Sequence, residues 1–384
     1  MKPLPTPAEP ATARALPRVV IDLEKLQYIN CGLGRFSLHL ARELLREAEG
    51  RFRPVFFMPP SARGYFAGGE FDLLAAADWR KENIRRFLRP LVQPFLPAPQ
   101  IQLWHVTHQG SKYLPLDRRI PILLTIHDLN FLHEQPERAH SRENRRELAG
   151  IQRLVDRASA IVTVSQFTAD DVRRHLNVRG KPLHVVHNGM PPAPPASANR
   201  PSFLSAGPFL LTVGNAMPHK NFHVLLGMLE HLPGKRLVIA GKKSTRYGRF
   251  LATEIARRGL ADRVLQTGEV SDGDRQWLYE HCEAFVFPSL AEGFGFPVLE
   301  AMQCGRPVFA ARRTSLPEIG GDVACYFDSF EPEQMAAVVR AGLARAQSDP
   351  HAAARARERA ASFSWRAAAR RYAELYVALV NGLA

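Results

Sequence analysis

Glu292 and Glu300 stand eight residues apart in the stretch Ser289-Leu290-Ala291-Glu292-Gly293-Phe294-Gly295-Phe296-Pro297, which runs on to Gly305 and Pro307. Pro297 suits the first turn of a helix, where its missing N–H costs nothing, and Gly305 suits the exit. Such a helix points its positive end, with unpaired backbone N–H groups, at the loop formed by Gly293, Phe294, Gly295 and Phe296. The two glycines let a ligand come close to the backbone. One carboxylate precedes these amides and the other lies about one turn inside the helix. Amides that bind an anion, set between two carboxylates that accept hydroxyls, suit a sugar nucleotide, which carries hydroxyls on both sides of a pyrophosphate. Standing alone, the same two glutamates read as a helix-terminal carboxylate and an exposed helical one.

Other residues of chemical interest fall at the ends of apolar runs. Lys220 follows the run 209–213 and the turn Gly214-Asn215-Ala216-Met217-Pro218. It is either a point charge for a phosphate or a surface lysine at a helix start, where it opposes the helix dipole. Gly32-Leu33-Gly34-Arg35 joins a strand to a helix, as phosphate-cradling loops do and as simple tight turns also do. Arg35 meets an anionic ligand or lies on a solvated helix face. His127-Asp128 closes a strongly apolar run, which puts both in a crevice rather than the core, with Asp128 also able to cap the next turn. His105 and His108 fall at another strand end, where they line a ligand pocket or serve the structure. Asp272-Gly273-Asp274 has the spacing of a metal-binding pair of aspartates but opens a helix, where acids favour the N-terminus, so capping is the reading taken.

These residues are positioned by strands and helices that alternate twice. Residues 18–23, 54–58, 102–107, 120–126, 160–164 and 183–187 read as strands, short and unbroken like parallel strands buried on both faces. Helices are expected between them at 34–48, 138–157 and 168–176, the last with Thr168 and Asp171 close to a capping box. Gly189-Met190-Pro191-Pro192-Ala193-Pro194-Pro195 reads as a linker. The alternation resumes with strands at 209–213, 236–240, 263–267, 284–287 and 307–310, and ends in an amphipathic pattern at 365–383. Two doubly wound parallel sheets follow, with ligands at the carboxyl ends of the strands and a crevice between two facing halves.

Composition agrees with a two-domain globular chain of 384 residues: 46% of them are hydrophobic, enough for two cores, and no run of about 18 uncharged apolar residues occurs. The N-terminus lacks the apolar core of a signal peptide, and Cys31, Cys282, Cys304 and Cys325 show neither C-x-x-C pairing nor metal spacing. A reduced, cytoplasmic protein is expected. The net charge of +14 is concentrated in the first 190 residues, which hold 28 basic and 19 acidic side chains. Without a nucleic-acid motif or interleaved aromatics, an anionic membrane or anionic glycolipid is the expected partner rather than nucleic acid. Residues 79–91 carry a basic amphipathic pattern that fits either an interfacial helix or one packed on the first sheet.

The E-x7-E stretch resembles the signature of the retaining glycosyltransferases of family 4, which have the GT-B fold. The resemblance continues in order through Gly32-Leu33-Gly34-Arg35, Thr125-Ile126-His127-Asp128-Leu129, Val162-Thr163-Val164-Ser165, His187-Asn188-Gly189, Val213-Gly214-Asn215, Pro218-His219-Lys220-Asn221 and Ser315-Leu316-Pro317-Glu318. It implies an acceptor domain at 1–190, a linker at 191–203, a nucleotide-sugar domain at 204–362 and a helix at 363–384 that crosses back to the first domain. It implies donor contacts from Gly32, Gly34, Asn215, Lys220, Val270, Glu292, the amides of Gly293 to Phe296, and Glu300. Glu292 would meet the donor sugar, Glu300 the ribose, Lys220 the pyrophosphate and the turn at Val270 the base. Glu292, His127 and Lys220 are the implied catalytic group, while Arg35, His105, His108 and Asp128 are the acceptor candidates. Many members carry arginine where this chain has Asn215, so His219 or a neutral hydrogen bond would have to replace that cation. The branch resembled most uses GDP-mannose for lipopolysaccharide or surface polysaccharide, without a metal cofactor. A UDP-sugar, an ADP-heptose, a GT-B epimerase and a non-catalytic basic module remain as alternatives.

Overall fold

The computed structural model describes residues 15–29, 31–75, 100–134 and 141–382. Its first sheet contains β1 (Arg18–Asp22), β2 (Arg53–Met58), β3 (Asp72–Ala75), β4 (Leu103–Val106), β5 (Ile122–Ile126), β6 (Ala160–Thr163) and β7 (Leu183–Val185), in the order β3-β2-β1-β4-β5-β6-β7. The second contains β8 (Leu210–Val213), β9 (Leu237–Ala240), β10 (Val264–Gly268), β11 (Ala284–Phe287), β12 (Val308–Ala311) and β13 (Cys325–Phe327), in the order β10-β9-β8-β11-β12-β13. Every pairing is parallel. Both sheets reverse their winding beside the first strand, between β1 and β4 and between β8 and β11. Crevices open there at the strands' carboxyl ends. That places Gly214-Asn215 and Ser289 to Glu292 together on one rim.

The sequence pattern anticipates eleven of these strands but not β3 or β13. Both are edge strands of four and three residues. The strands at the opposite edges, β7 and β10, are anticipated, so edge position alone does not hide a strand. The α-helices among the described residues are α1 (Gly32–Glu47), α2 (Arg142–Arg157), α3 (Gln166–His175), α4 (Val224–Glu230), α5 (Arg246–Arg257), α6 (Asp272–His281), α7 (Phe296–Gln303), α8 (Leu316–Gly320), α9 (Pro332–Ser348), α10 (Ala352–Ala361) and α11 (Trp365–Val380). Two starts differ from expectation. Helix α3 begins two residues early because Ser165, not Thr168, is its N-cap and accepts from the Thr168 amide. Helix α1 begins at Gly32, so Gly32-Leu33-Gly34 is a first helical turn rather than a loop. Residues 79–91 lie outside the described residues.

Helix α11 packs on α1, beside the first sheet. Tyr376 meets Phe52 edge to face and hydrogen-bonds His105, while Tyr372 bonds Thr125. The chain therefore crosses between the sheets twice, and the crossings touch: the Met190 amide donates to Phe363 O at 2.8 Å. A Cβ on Gly189 would stand 2.5 Å from the Ser364 carbonyl carbon and closer still to the Trp365 backbone. Backbone cannot yield as a side chain can. Gly189→Ala is expected to destabilise the protein by about 3 kcal/mol, as overpacking does. Urea unfolding of the variant checks this, and an unchanged midpoint would remove the crossing's assigned constraint.

Candidate functional site

The loop before α7 is built to hold its amides outward. Glu292 N donates to Thr314 Oγ1 at 3.0 Å, and Ser315 Oγ donates to both Glu292 O and Phe294 O. Gly295, at φ 112°, precedes the helix. Among the described residues, no acceptor is found for the amides of Gly293, Phe294, Gly295 or Phe296. Unpaired amides at a helix start are the kind of group that can hold an anion. Lys220 reaches the same place from the short 3-10 turn Pro218–Lys220, which is tied to the loop by Leu290 N donating to His219 O at 2.7 Å. Its Nζ stands 2.5 Å from Glu292 Oε1, with the two side chains only 15% and 13% exposed. The sequence-predicted phosphate cation and sugar carboxylate thus form one ion pair at the mouth of the amides.

Glu300 lies one turn along α7. Its Oε2 accepts from the buried Tyr279 hydroxyl at 2.7 Å, and its Oε1 faces Arg35 Nη1 at 3.4 Å. Burial, then the neighbouring Glu300, pushes the Tyr279 hydroxyl well above its usual pKa, so it stays a donor. Val270 is half-buried in the turn after β10, where Ser271 caps α6. Asp272 and Asp274 occupy the first turn of α6; Asp272 pairs with Arg275 and Arg35, and Asp274 accepts from Ser197 Oγ.

The first lobe closes on this loop with His127 and Asp128. A Cβ on Gly293 would lie 2.8 Å from Asp128 Cβ and closer to His127 O, and Ser165 Oγ donates to Gly293 O at 2.9 Å. The His127 ring donates from Nε2 to Thr107 O at 2.9 Å and abuts Phe36 edge to face. Burial holds it down to about 4, despite the Thr107 carbonyl, so it is neutral at pH 7. Burial likewise raises Asp128 to about 6; the Asn130 amide opposes this and the Glu292 charge adds to it.

Two expectations are corrected. His105 lies inside β4, not at its end, on the face that packs against α11. It bonds Tyr376 Oη at 2.6 Å and Thr125 Oγ1 at 2.8 Å, fully buried and neutral, so it is a core histidine and lines no acceptor pocket. His108 is also buried, with Nδ1 accepting from Gly110 N and Nε2 donating to Glu24 at 3.1 Å. Gly34 needs another reason as well. Its Cβ would strike Tyr28 O and come within 2.8 Å of Ile29 Cα, so helix packing and not a phosphate demands glycine there, whereas a Cβ on Gly32 would meet nothing within 4 Å. Asn215 turns its Oδ1 to Lys242 N at 3.3 Å. His219 Nδ1 stands 3.0 Å from Glu134 Oε1, near enough for an ion pair though not aligned as a hydrogen bond.

The cross-cleft contacts are what the sequence reading missed. Besides Ser165, Glu318 takes the amides of Gln166 at 2.7 Å and Phe167 at 3.1 Å, and His187 Nε2 at 2.6 Å. Burial alone would raise Glu318, but His187 and the two amides outweigh it and hold the carboxyl low. Ser165, His187 and Glu318 all lie in segments that carry the family resemblance, so the signal was their presence, without a role. A groove of about 1970 Å³ between the back of α1, the Gly64 to Phe71 loop and Trp365 contains none of these residues.

Next to His108, Asp22 is fully buried with Ser111 Oγ at 2.6 Å and Glu24 N at 3.1 Å. Burial, partly offset by His108 and Ser111, raises it from 3.8 to about 6. The folded state therefore binds a proton more tightly than the unfolded chain, and this group's contribution is lost as pH rises through 6. Asn in its place keeps the bond from Glu24 N on Oδ1 and reverses the other, with Nδ2 donating to Ser111 Oγ. Asp22→Asn should gain about 2 kcal/mol at pH 7, from a ceiling of about 3 kcal/mol for a shift of that size, and nothing near pH 4. Urea titrations at the two pH values test it; a gain equal at both would refute the ionised carboxylate as its source.

Residues 31–193 match the family described as Glycosyltransferase Family 4, and residues 198–362 match Glycosyl transferases group 1. The chain is 27% identical over 376 residues to O-antigen chain mannosyltransferase B of Escherichia coli, covering 91% of this chain and 96% of that one. It is 29% identical over 235 residues to the serotype-specific mannosyltransferase WbdA of the same organism, of which those residues span only 28%. Among solved structures, sucrose-phosphate synthase from Thermosynechococcus elongatus superposes with a TM-score of 0.68 at 17% identity, over 95% of this chain and 100% of that one. Anabaena HepE, solved with UDP and glucose, gives 0.66 at 19% identity, over 93% and 98%. At such identities the structures speak for the fold alone, which is GT-B. The two matches cover nearly all of residues 31–362, and with a relative aligned over almost the whole of both chains they place this protein among the family 4 glycosyltransferases.

Proposed function

We propose that this glycosyltransferase moves mannose from GDP-mannose, with retention of anomeric configuration, to a saccharide or lipid-linked anionic acceptor in surface polysaccharide assembly. The observation that carries the donor site is the Lys220–Glu292 pair at the open amides of Gly293 to Phe296, with Glu300 one turn on. In this reading Lys220 and the amides bind the pyrophosphate and stabilise the leaving nucleotide. Glu300 and Tyr279 hold the ribose, and Glu292 accepts sugar hydroxyls once the phosphate has drawn Lys220 away. The division of labour follows the two sheets, with acceptor binding in residues 1–190 and donor binding in 204–362. The basic first half would face an anionic acceptor or membrane surface.

Retention by a covalent glycosyl-enzyme would need a second carboxylate about 5 Å away across the reacting carbon. Glu292 is instead committed to Lys220, and the carboxyl nearest it across the cleft, Asp128, is desolvated and held up to about 6, partly by the Glu292 charge, rather than poised as a free nucleophile. This favours same-face displacement, with a donor phosphate oxygen taking the acceptor's proton. Fixed dipoles and Lys220 neutralise the diphosphate in this scheme, so turnover should persist in a chelator. The relatives named as mannosyltransferases favour GDP-mannose over a UDP-sugar or ADP-heptose. Calorimetric titration of metal-free protein with GDP, UDP and ADP, followed by the matching sugar nucleotides, tests the donor. GDP preference with mannosyl transfer supports the proposal; preference for another nucleotide, or release of free epimer without acceptor, overturns it.

A further inference from the structure

Two candidates for a second phosphate cation on the donor lobe are already occupied or uncharged. Asn215 carries no charge and its Oδ1 already bonds the Lys242 amide, while His219 faces Glu134. Lys220 is the basic side chain that pairs with Glu292 beside the amides. On the opposite lobe, Arg35 in the first turn of α1 projects across the cleft. Its Nη1 lies 3.4 Å from Glu300 Oε1 and its Nη2 3.4 Å from Asp272 Oδ1. Both distances are long for a charge-assisted hydrogen bond, so neither carboxylate grips the guanidinium tightly. Asp272 is moreover held at 2.9 Å by Arg275 from its own helix. The start of α1 has room at Gly32, where an added Cβ would touch nothing.

We infer that Arg35 is the second phosphate cation of the donor site, supplied from the acceptor lobe across the cleft. The inference rests on the donor-site reading above. Before donor binds, Arg35 shares Glu300 Oε1. When ribose hydroxyls take that oxygen, the guanidinium turns to the adjacent diphosphate, whose paired oxygens suit its planar fork. Tyr279 keeps Glu300 Oε2 throughout. The exchange makes donor binding a test of closure, because the arginine reaches the phosphate only while the two lobes face each other. It also gives Arg35 a place on the leaving group rather than on the acceptor, its role in the sequence-based expectation.

The exchange has a signature that mere structural support lacks. Arg35→Ala should weaken GDP binding about tenfold or more, the loss of a hydrogen-bonded charge. Guanosine should bind as well as to wild type or better, since its ribose no longer displaces an arginine from Glu300. Asp272→Asn removes a competing partner and should leave GDP affinity at or above the wild-type value. Calorimetry on the full-length variants reads all three. Equal losses for GDP and guanosine in Arg35→Ala would make Arg35 structural and overturn the inference, as would no change in either. Failure of wild-type protein to bind GDP is a different result, which rejects the GDP site proposed above, and the inference with it.

Discussion

Lys220→Ala is expected to lower kcat/KM for the sugar nucleotide by about two to three orders of magnitude, the usual cost of removing one preorganised group from developing negative charge. The structure sharpens the expectation by showing what else the lysine does. Its Nζ lies 2.5 Å from Glu292 Oε1 and 5.3 Å from the centre of the Phe287 ring, so it is already desolvated and aimed before any donor arrives. Truncation also leaves Glu292 mostly buried with no counter-ion. Loss of one partner from a fully buried pair costs about 3–5 kcal/mol, and partial exposure reduces this here to about 1–2 kcal/mol. The protein should therefore stay folded while losing turnover. Glu292→Ala separates the two roles: it frees Lys220, so nucleoside diphosphate binding should hold or improve while sugar transfer falls. A double-mutant cycle on kcat/KM and on stability completes the argument. Near-wild-type turnover in either single variant would dissolve the site as assigned.

What the sequence made legible follows from how each feature is encoded. Buried parallel strands are largely apolar runs, and the paired E-x7-E loop is local, so strands β1, β2 and β4 to β12 and the loop before α7 could be read directly. Edge strands β3 and β13 are missed although Leu73 to Ala75 and Val323 to Phe327 are apolar. The errors at His105 and His108 have one cause: a polar residue near a strand end was taken to face the crevice, whereas Tyr376 and Glu24, distant in sequence, bury and satisfy them. A partner 271 residues away leaves no mark in the local pattern. The same holds for the cleft. Arg35 with Glu300, Ser165 with Gly293 and Glu318 with the start of α3 are pairs between lobes, and neither segment of a pair names its partner.

Those pairs lead to the second large effect, at Gly293. Its neighbours across the cleft are the His127 carbonyl and the Asp128 side chain, with a virtual Cβ 2.8 Å from Asp128 Cβ. Its φ lies outside the range that favours glycine, so alanine is tolerated by its own loop and meets trouble only when the lobes close. To restore ordinary contact the His127-Asp128 segment must retreat by about 1 Å, which is enough to cost about a hundredfold where reacting groups are aligned. Gly293→Ala should therefore lower kcat about a hundredfold and lower nucleotide affinity by no more than about the tenfold assigned to Arg35, because Lys220, Glu300 and the α7 amides all belong to the lobe that carries the mutation. Neighbouring Phe294→Leu, which leaves the Gly293–Asp128 contact in place while thinning the packing toward His187, serves as the control for loop damage. If kcat were unchanged, closure as seen here would not be the reactive geometry. If nucleotide binding fell in step with kcat, the glycine would be serving the donor loop itself. The expected split assigns the glycine to neither donor nor acceptor but to the fit between the lobes, which is the property that no single stretch of the chain encodes.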